Sequence, residues 1–138
     1  MMVASNYIAG VGVDILSVNR VNSLFMKYKY HFLDKVLGSI ERDCFNKRFD
    51  SNYYRGIRYI TTRISAKEAL SKAIGIGMTY PMSWSSVEIL NSSNGKPYYF
   101  FSPVLDKWIK ERYGVIHISL SDEHDLVVSN VIIETKKI

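Results

Sequence analysis

Hydrophobic and polar positions change their period several times along this chain, and each change marks an element. In "IAGVGVDIL" the residues Val11, Val13 and Ile15 alternate with Gly10, Gly12 and Asp14, the period of a half-buried strand. Asp14 therefore shares a face with two glycines, where another group can come close to the backbone. Val18, Val21, Leu24 and Phe25 then recur at helical spacing and leave Arg20, Lys27 and Lys29 for the exposed side, so a basic amphipathic helix follows. A second helix is predicted from Ser39, whose hydroxyl can cap it, with Glu41 in its first turn. The polar and aromatic stretch "NKRFDSNYYRG", Asn46 to Gly56, reads as a loop or a frayed helix end.

"RISAKEALSKAIGIG", Arg63 to Gly77, is the third predicted helix. Ala66, Ala69, Leu70, Ala73 and Ile74 form its apolar face, with Lys67, Glu68, Ser71 and Lys72 opposite, and Gly75 and Gly77 end it. "SSVEIL" and "KPYYFF" read as two strands joined through Asn91 to Gly95, since Asn94-Gly95 is a strong hairpin signal. Pro103 opens a helix to about Tyr113 with Leu105, Trp108 and Ile109 on its buried side. "VIHISLSDEHDLVVSNVIIE" is a second hairpin turning near Asp122 to Asp125. Strand, helices, strand pair, helix and strand pair predict an α+β fold with an antiparallel-dominated sheet packed with helices, in a single domain over residues 1–138.

Composition narrows the class of protein. With 47% hydrophobic and 22% charged residues in 138, the chain is globular and long enough for one buried core. Cys44 is the single cysteine, which excludes an internal disulfide framework and a multi-cysteine metal site and fits a reducing compartment. No apolar run reaches membrane length, and "MMVASNYIAGVGVDI" lacks a basic region followed by an apolar stretch, so a cytoplasmic protein away from membranes is expected. A formal charge of +5 calls for an anionic partner. No concentrated basic stripe or aromatic RNA-binding signature is present, so nucleic acid is not the expected one.

Glu68 precedes Lys72 by four residues, the favourable order for an ordinary surface ion pair worth about 0.3–0.5 kcal/mol. Asp14 at a strand and Glu68 on a helix would equally supply the few oxygens that hold Mg2+ while it keeps waters and ligand phosphates. Spacing alone leaves both readings open. His117 falls with Ser119 and Ser121 on one strand face, where a lone histidine is more often structural than catalytic. Lys96, beside the Asn94-Gly95 turn, is either plain turn chemistry or a point charge for a phosphate. There is no "GxxxxGK[ST]" loop, "GVG" is an incomplete dinucleotide fingerprint, and no serine has a recognisable base and orienting acid.

Taken together, "GVGVDI", "RISAKEALSKAIGIG", "NGKPY" and "HISLSDEHDLVVSNVIIE" resemble holo-acyl-carrier-protein synthases, small 4'-phosphopantetheinyl transferases, in order and spacing from Gly10 to Glu134. The resemblance implies transfer of the phosphopantetheine arm of coenzyme A to a serine of an apo acyl carrier protein, releasing adenosine 3',5'-bisphosphate, in fatty-acid biosynthesis. It implies Asp14 and Glu68 as Mg2+ ligands and Lys72 as a cation for the departing phosphate, with the general base open between Glu68 and a metal-bound water. Arg63 matches a phosphate contact and His117 a residue lining the coenzyme site. Such enzymes are typically homotrimers with coenzyme A between subunits, so Lys96 and His117 are expected to serve a neighbour's Asp14 and Glu68. Arg20 matches the key cation of the helix that docks the acidic carrier protein, with Lys27 and Lys29 in support. Ile64 and Thr62 depart from the usual phenylalanine and basic residue. Two other classes stand beside this one: a binding module using its basic helix, and a phosphohydrolase using the same metal pair.

Overall fold

A computed structural model describes residues 7–137, so the sequence reading of the first six residues and of Ile138 lies outside it. Five strands and five helices follow in the order β1 (Ile8–Ser17), α1 (Val18–Tyr28), α2 (Tyr30–Val36), α3 (Ser39–Ser51), α4 (Tyr53–Ile74), β2 (Val87–Asn91), β3 (Pro97–Phe101), α5 (Pro103–Arg112), β4 (Tyr113–Glu123) and β5 (Leu126–Thr135). All pairings are antiparallel, in two sheets rather than one: β1-β5-β4, and the hairpin β2-β3. The α+β class holds.

The 22-residue helix α4 is the spine. Asn52 caps it by accepting from the Arg55 amide, and Gly75 closes it at φ 87°, a left-handed turn that suits glycine. Its first half packs against α1, α2 and α3 through Ile57, Ile60 and Ile64; its second half packs Ala66, Ala69 and Leu70 against both sheets and α5. The inward face of β5, Val127, Ser129, Val131 and Ile133, lies over it, and Ser129 Oγ donates to Ser65 Oγ at 2.7 Å.

β1 meets α4 backbone to backbone. A side-chain carbon on Gly12 would overlap the Ala69 carbonyl oxygen, and one on Gly10 the Ala73 carbonyl oxygen. The glycines are thus where another group approaches closely, and that group is α4 itself. Since the glycine face is the inner one, the apolar face of β1 turns outward: Val11, Val13 and Ile15 are 58%, 46% and 62% exposed. Val115 on β4 and Ile132 on β5 are exposed as well.

Four local readings need correction. Asn46 to Gly56 is helical apart from Asn52, because Phe45, Phe49 and Tyr53 form an aromatic stack under Phe25 that repeats at helical spacing. Ser39 does not cap α3; Gly38 holds that position, and the Glu41 carboxylate accepts its amide at 3.0 Å. Helix α2 went unpredicted because Lys29, at φ 50°, breaks the period between it and α1. Lys67 and Ser71 were expected on a polar face opposite the alanines but are buried, since α4 is enclosed on more than one side.

Candidate active site

The contact of Gly10 and Gly12 with α4 sets Asp14, two residues on, beside the last turns of the helix. Lys72 there places its ammonium 3.1 Å from Asp14 Oδ1 and 3.1 Å from the Val13 carbonyl oxygen. Asp14 Oδ2 is buried and has no hydrogen-bond partner among the described residues. Glu68, one turn earlier, is half-buried, and its carboxyl is pushed above the usual carboxylate range, first by burial and then by the Asp14 charge, with Lys72 opposing both. Asp14, Glu68 and Lys72 form one electrostatic unit, so the surface-pair reading of Glu68 and Lys72 gives way.

Asp14 and Glu68 both open onto a cavity of about 620 Å3 between β1, α1, α2 and α4. Leu16, Val21, Leu24, Phe32, Ile64 and Trp84 give it an apolar interior, while Arg20, His31 and Lys35 supply polar groups. A site of this size with a few converging polar groups suits a small flexible ligand. Arg20 thereby stands at the cavity that Asp14 and Glu68 enter, whereas Lys27 faces solvent on the last turn of α1, its ammonium 5.2 Å from the Tyr28 ring centre.

The residues present fit a magnesium ion. Among the described residues no group of three or more His, Cys, Asp or Glu side chains gathers to hold a metal. Two carboxylates are enough for Mg2+, which is commonly held by one or two of them together with substrate phosphates. The orphaned Asp14 Oδ2 is the oxygen in want of a cation.

The other predicted residues lie elsewhere. Arg63 points away from the cavity and lines a groove of about 240 Å3 with Arg48, Arg55, Arg58, Tyr59 and Asn91. Its guanidinium donates to Asn91 Oδ1 at 2.6 Å and stacks 4.4 Å from the Tyr59 ring centre, with Arg48 stacked on the same ring at 4.5 Å. Among the described residues the buried Arg63 Nε has no hydrogen-bond partner. Lys96 is exposed in the β2–β3 turn, and His117 stands on the exposed face of β4, its Nε2 2.6 Å from Glu134 Oε2. The chain by itself therefore assembles Asp14, Glu68, Lys72 and Arg20, and leaves Arg63, Lys96 and His117 apart from them.

Sequence reasoning missed the α2 contribution, Phe32 and Val36, and the wall residue Trp84. The spacing of Phe32 and Val36 carried that signal. It also missed Arg48 and Arg55, which sit in the Asn46 to Gly56 segment read as a loop or frayed helix end, and Arg58 just beyond it; with Tyr53 onward helical, 55 and 58 fall a turn apart on α4 and the pair becomes visible.

Known proteins resemble this chain in sequence and in fold. A holo-[acyl-carrier-protein] synthase of Bordetella pertussis is 40% identical over 129 residues, covering 94% of this chain and 84% of that protein. One from Leptothrix cholodnii is 42% identical over 94% of this chain and 98% of its own. The crystal structure of the Neisseria meningitidis holo-[acyl-carrier-protein] synthase superposes with a TM-score of 0.85 at 32% identity, covering 93% of this chain and 99% of that one. The Bacillus anthracis enzyme in complex with CoA (3',5'-ADP) gives 0.76 at 28% identity over 94% and 99%. The sequence signature of the 4'-phosphopantetheinyl transferase superfamily covers residues 10–129, from the glycine that seats β1 on α4 to the serine that ties β5 to it, and the chain belongs to that superfamily.

Proposed function

We propose that this chain is a Mg2+-dependent holo-[acyl-carrier-protein] synthase, moving the 4'-phosphopantetheine arm of coenzyme A onto a serine of apo acyl carrier protein in fatty-acid biosynthesis. The observation that carries this reading is the Asp14–Lys72–Glu68 unit at the mouth of an apolar cavity. Relatives at about 40% identity bear that name.

In the reaction the serine Oγ attacks the phosphorus that bears the pantetheine arm, and the bond from that phosphorus to the bridging oxygen breaks. Adenosine 3',5'-bisphosphate leaves with the bridging oxygen. Asp14 and Glu68 would hold Mg2+, which when bound neutralises the diphosphate and stabilises charge building on the leaving oxygen. The Lys72 ammonium, already placed between Asp14 and the β1 backbone, meets a diphosphate oxygen as a point charge. Glu68, opening onto the same cavity, is a carboxylate that can accept the serine proton, either directly or through a water. The apolar cavity receives the arm, and the Arg63 groove offers guanidinium groups to the remaining phosphate. Arg20 and Lys27 give the acidic carrier protein a basic approach on α1.

The active form is a homotrimer in this reading. The exposed apolar face of Val11, Val13, Ile15, Val115 and Ile132 supports an interface on the β1-β5-β4 sheet. His117 stands on the same face of β4 as Val115, where a neighbour's Asp14 and Glu68 would meet it, with Lys96 approaching from the β2–β3 turn.

The test is the intact mass of an apo acyl carrier protein after incubation with the protein, coenzyme A and Mg2+. A gain of one phosphopantetheine arm, lost with chelator and with Glu68→Gln, supports the reading. No gain across several carrier proteins returns the chain to a binding role, and consumption of coenzyme A without a carrier makes it a phosphohydrolase.

A further inference from the structure

Lys67 directly precedes Glu68 on α4 and has no solvent-exposed surface. Its ammonium donates three hydrogen bonds, to the Val36 carbonyl at 2.6 Å, to Glu41 Oε1 at 2.6 Å and to the Trp84 carbonyl at 2.8 Å. All three of its protons are used. Glu41 is engaged at both oxygens, accepting also from the Gly38 amide at 3.0 Å and from the Ile89 amide at 2.9 Å. Burial pulls the Lys67 pKa down, and the Glu41 charge beside it acts to hold the proton on.

The acceptors are informative. Val36 ends α2 and Trp84 lies in the connection between α4 and β2, so they come from segments far apart in the chain. Both residues line the cavity onto which Glu68 opens. One ammonium group therefore ties two cavity walls to the helix that carries the metal-ligand candidate. Well-packed apolar side chains often replace a buried ion pair with no loss of stability. What an apolar side chain lacks is the ability to fix two backbone carbonyls at hydrogen-bond distance from one point.

We infer that Lys67 is a positioning residue, setting the Val36 and Trp84 walls against Glu68 at the spacing that seats the donor's arm. This rests on the transferase reading above. It separates two parts of the same substrate: coenzyme A carries the arm, and adenosine 3',5'-bisphosphate does not. Lys67 acts on the first and is indifferent to the second.

The experiment compares the parent, Lys67→Met, Lys67→Arg and Trp84→Ala. Each is made in the full chain with Trp108→Phe, which leaves Trp84 as the only tryptophan wherever it is retained. Transfer kinetics against coenzyme A, the dissociation constant for adenosine 3',5'-bisphosphate and the Trp84 emission spectrum are measured. Lys67→Met should raise KM for coenzyme A about tenfold or more with a smaller change in kcat, leave bisphosphate affinity within about twofold, and shift Trp84 emission to the red. Lys67→Arg should recover part of the KM, and Trp84→Ala, which leaves the ion pair intact, should reproduce the KM effect. A folded Lys67→Met with parental KM and emission overturns the inference, as does an equal loss of affinity for both ligands. If Lys67→Met does not fold, the same split in Lys67→Arg and Trp84→Ala decides, and its absence in both is equally fatal. A parent without transfer activity would sink the transferase reading instead, while a Trp84 shift in the variants would still report the wall.

Discussion

Asp14 shares only one of its two carboxylate oxygens with Lys72: Oδ1 lies 3.1 Å from the ammonium, and the buried Oδ2 meets no donor among the described residues. A salt bridge formed for stability alone would not leave a buried carboxylate oxygen bare, because such an oxygen costs free energy until a cation or donor reaches it. Asp14→Ala should therefore fold, lose divalent-metal binding as measured by calorimetry with Mn2+, and lose transfer by roughly a hundredfold or more. Undiminished transfer by this variant would remove Asp14 from the metal site.

Lys72 is 53% exposed, but its removal leaves the Asp14 carboxylate, 12% exposed, without this counter-charge until a metal binds. In metal-loaded protein Lys72→Met should therefore keep the melting temperature within about a degree or two while kcat falls by about a hundredfold, and metal affinity should hold or rise as a competing cation disappears. A drop in stability matching the drop in rate would make the lysine a scaffold element.

Glu68 sets a pH dependence whose sign is fixed by its raised pKa. A carboxyl that holds its proton more tightly when folded adds stability below the unfolded value of 4.5 and loses it as pH rises through the raised folded value. In metal-free protein, Glu68→Gln should then melt higher than the parent at neutral pH. The gap should close as the pH falls toward 4.5. Thermal melts across that range check it, and a gap that widens on acidification contradicts the assigned cause.

Gly12 has no room for a methyl group, since the Ala69 carbonyl oxygen fills the space. Gly12→Ala should destabilise the chain by about 1–3 kcal/mol by prising β1 off α4. The same shift moves Asp14 from Lys72, so transfer by the folded fraction should fall further than the population of folded protein does. Chemical denaturation alongside kinetics separates the two.

Val13 belongs to the exposed apolar face of β1, at 46% exposure. Val13→Asp should leave the melting profile of the single chain nearly unchanged, as surface substitutions do, and should drive sedimentation from about three chains to one with loss of transfer. A trimer that survives the change places the interface elsewhere.

Elements with one exposed side were legible in the sequence: both hairpins, α1 and α5 follow from alternation, helical spacing and turn residues. The Asp14–Glu68 pairing was legible only through resemblance, because 54 positions separate them and no local rule links a strand to a helix across that span. Lys67 was misplaced for a related reason. Periodicity assigns a lysine to water, and only the convergence of Val36, Glu41 and Trp84 from three other segments gives it a buried set of acceptors. The outward face of β1 was misleading in the opposite sense, since apolar residues there face away from their own core.

Helix α4 carries Arg63, Lys67, Glu68 and Lys72 in different directions: toward the arginine groove, toward the buried acceptors, toward the cavity and toward Asp14 on β1. Each residue added to or removed from that stretch turns everything beyond it by about 100°. The spacing of these four residues is for that reason a stricter record than their identities. Among related chains, differences in length should collect before Tyr53 and after Gly75, where a cap and a left-handed turn absorb them, and the ten residues from Arg63 to Lys72 should keep their count even where most of their letters have changed.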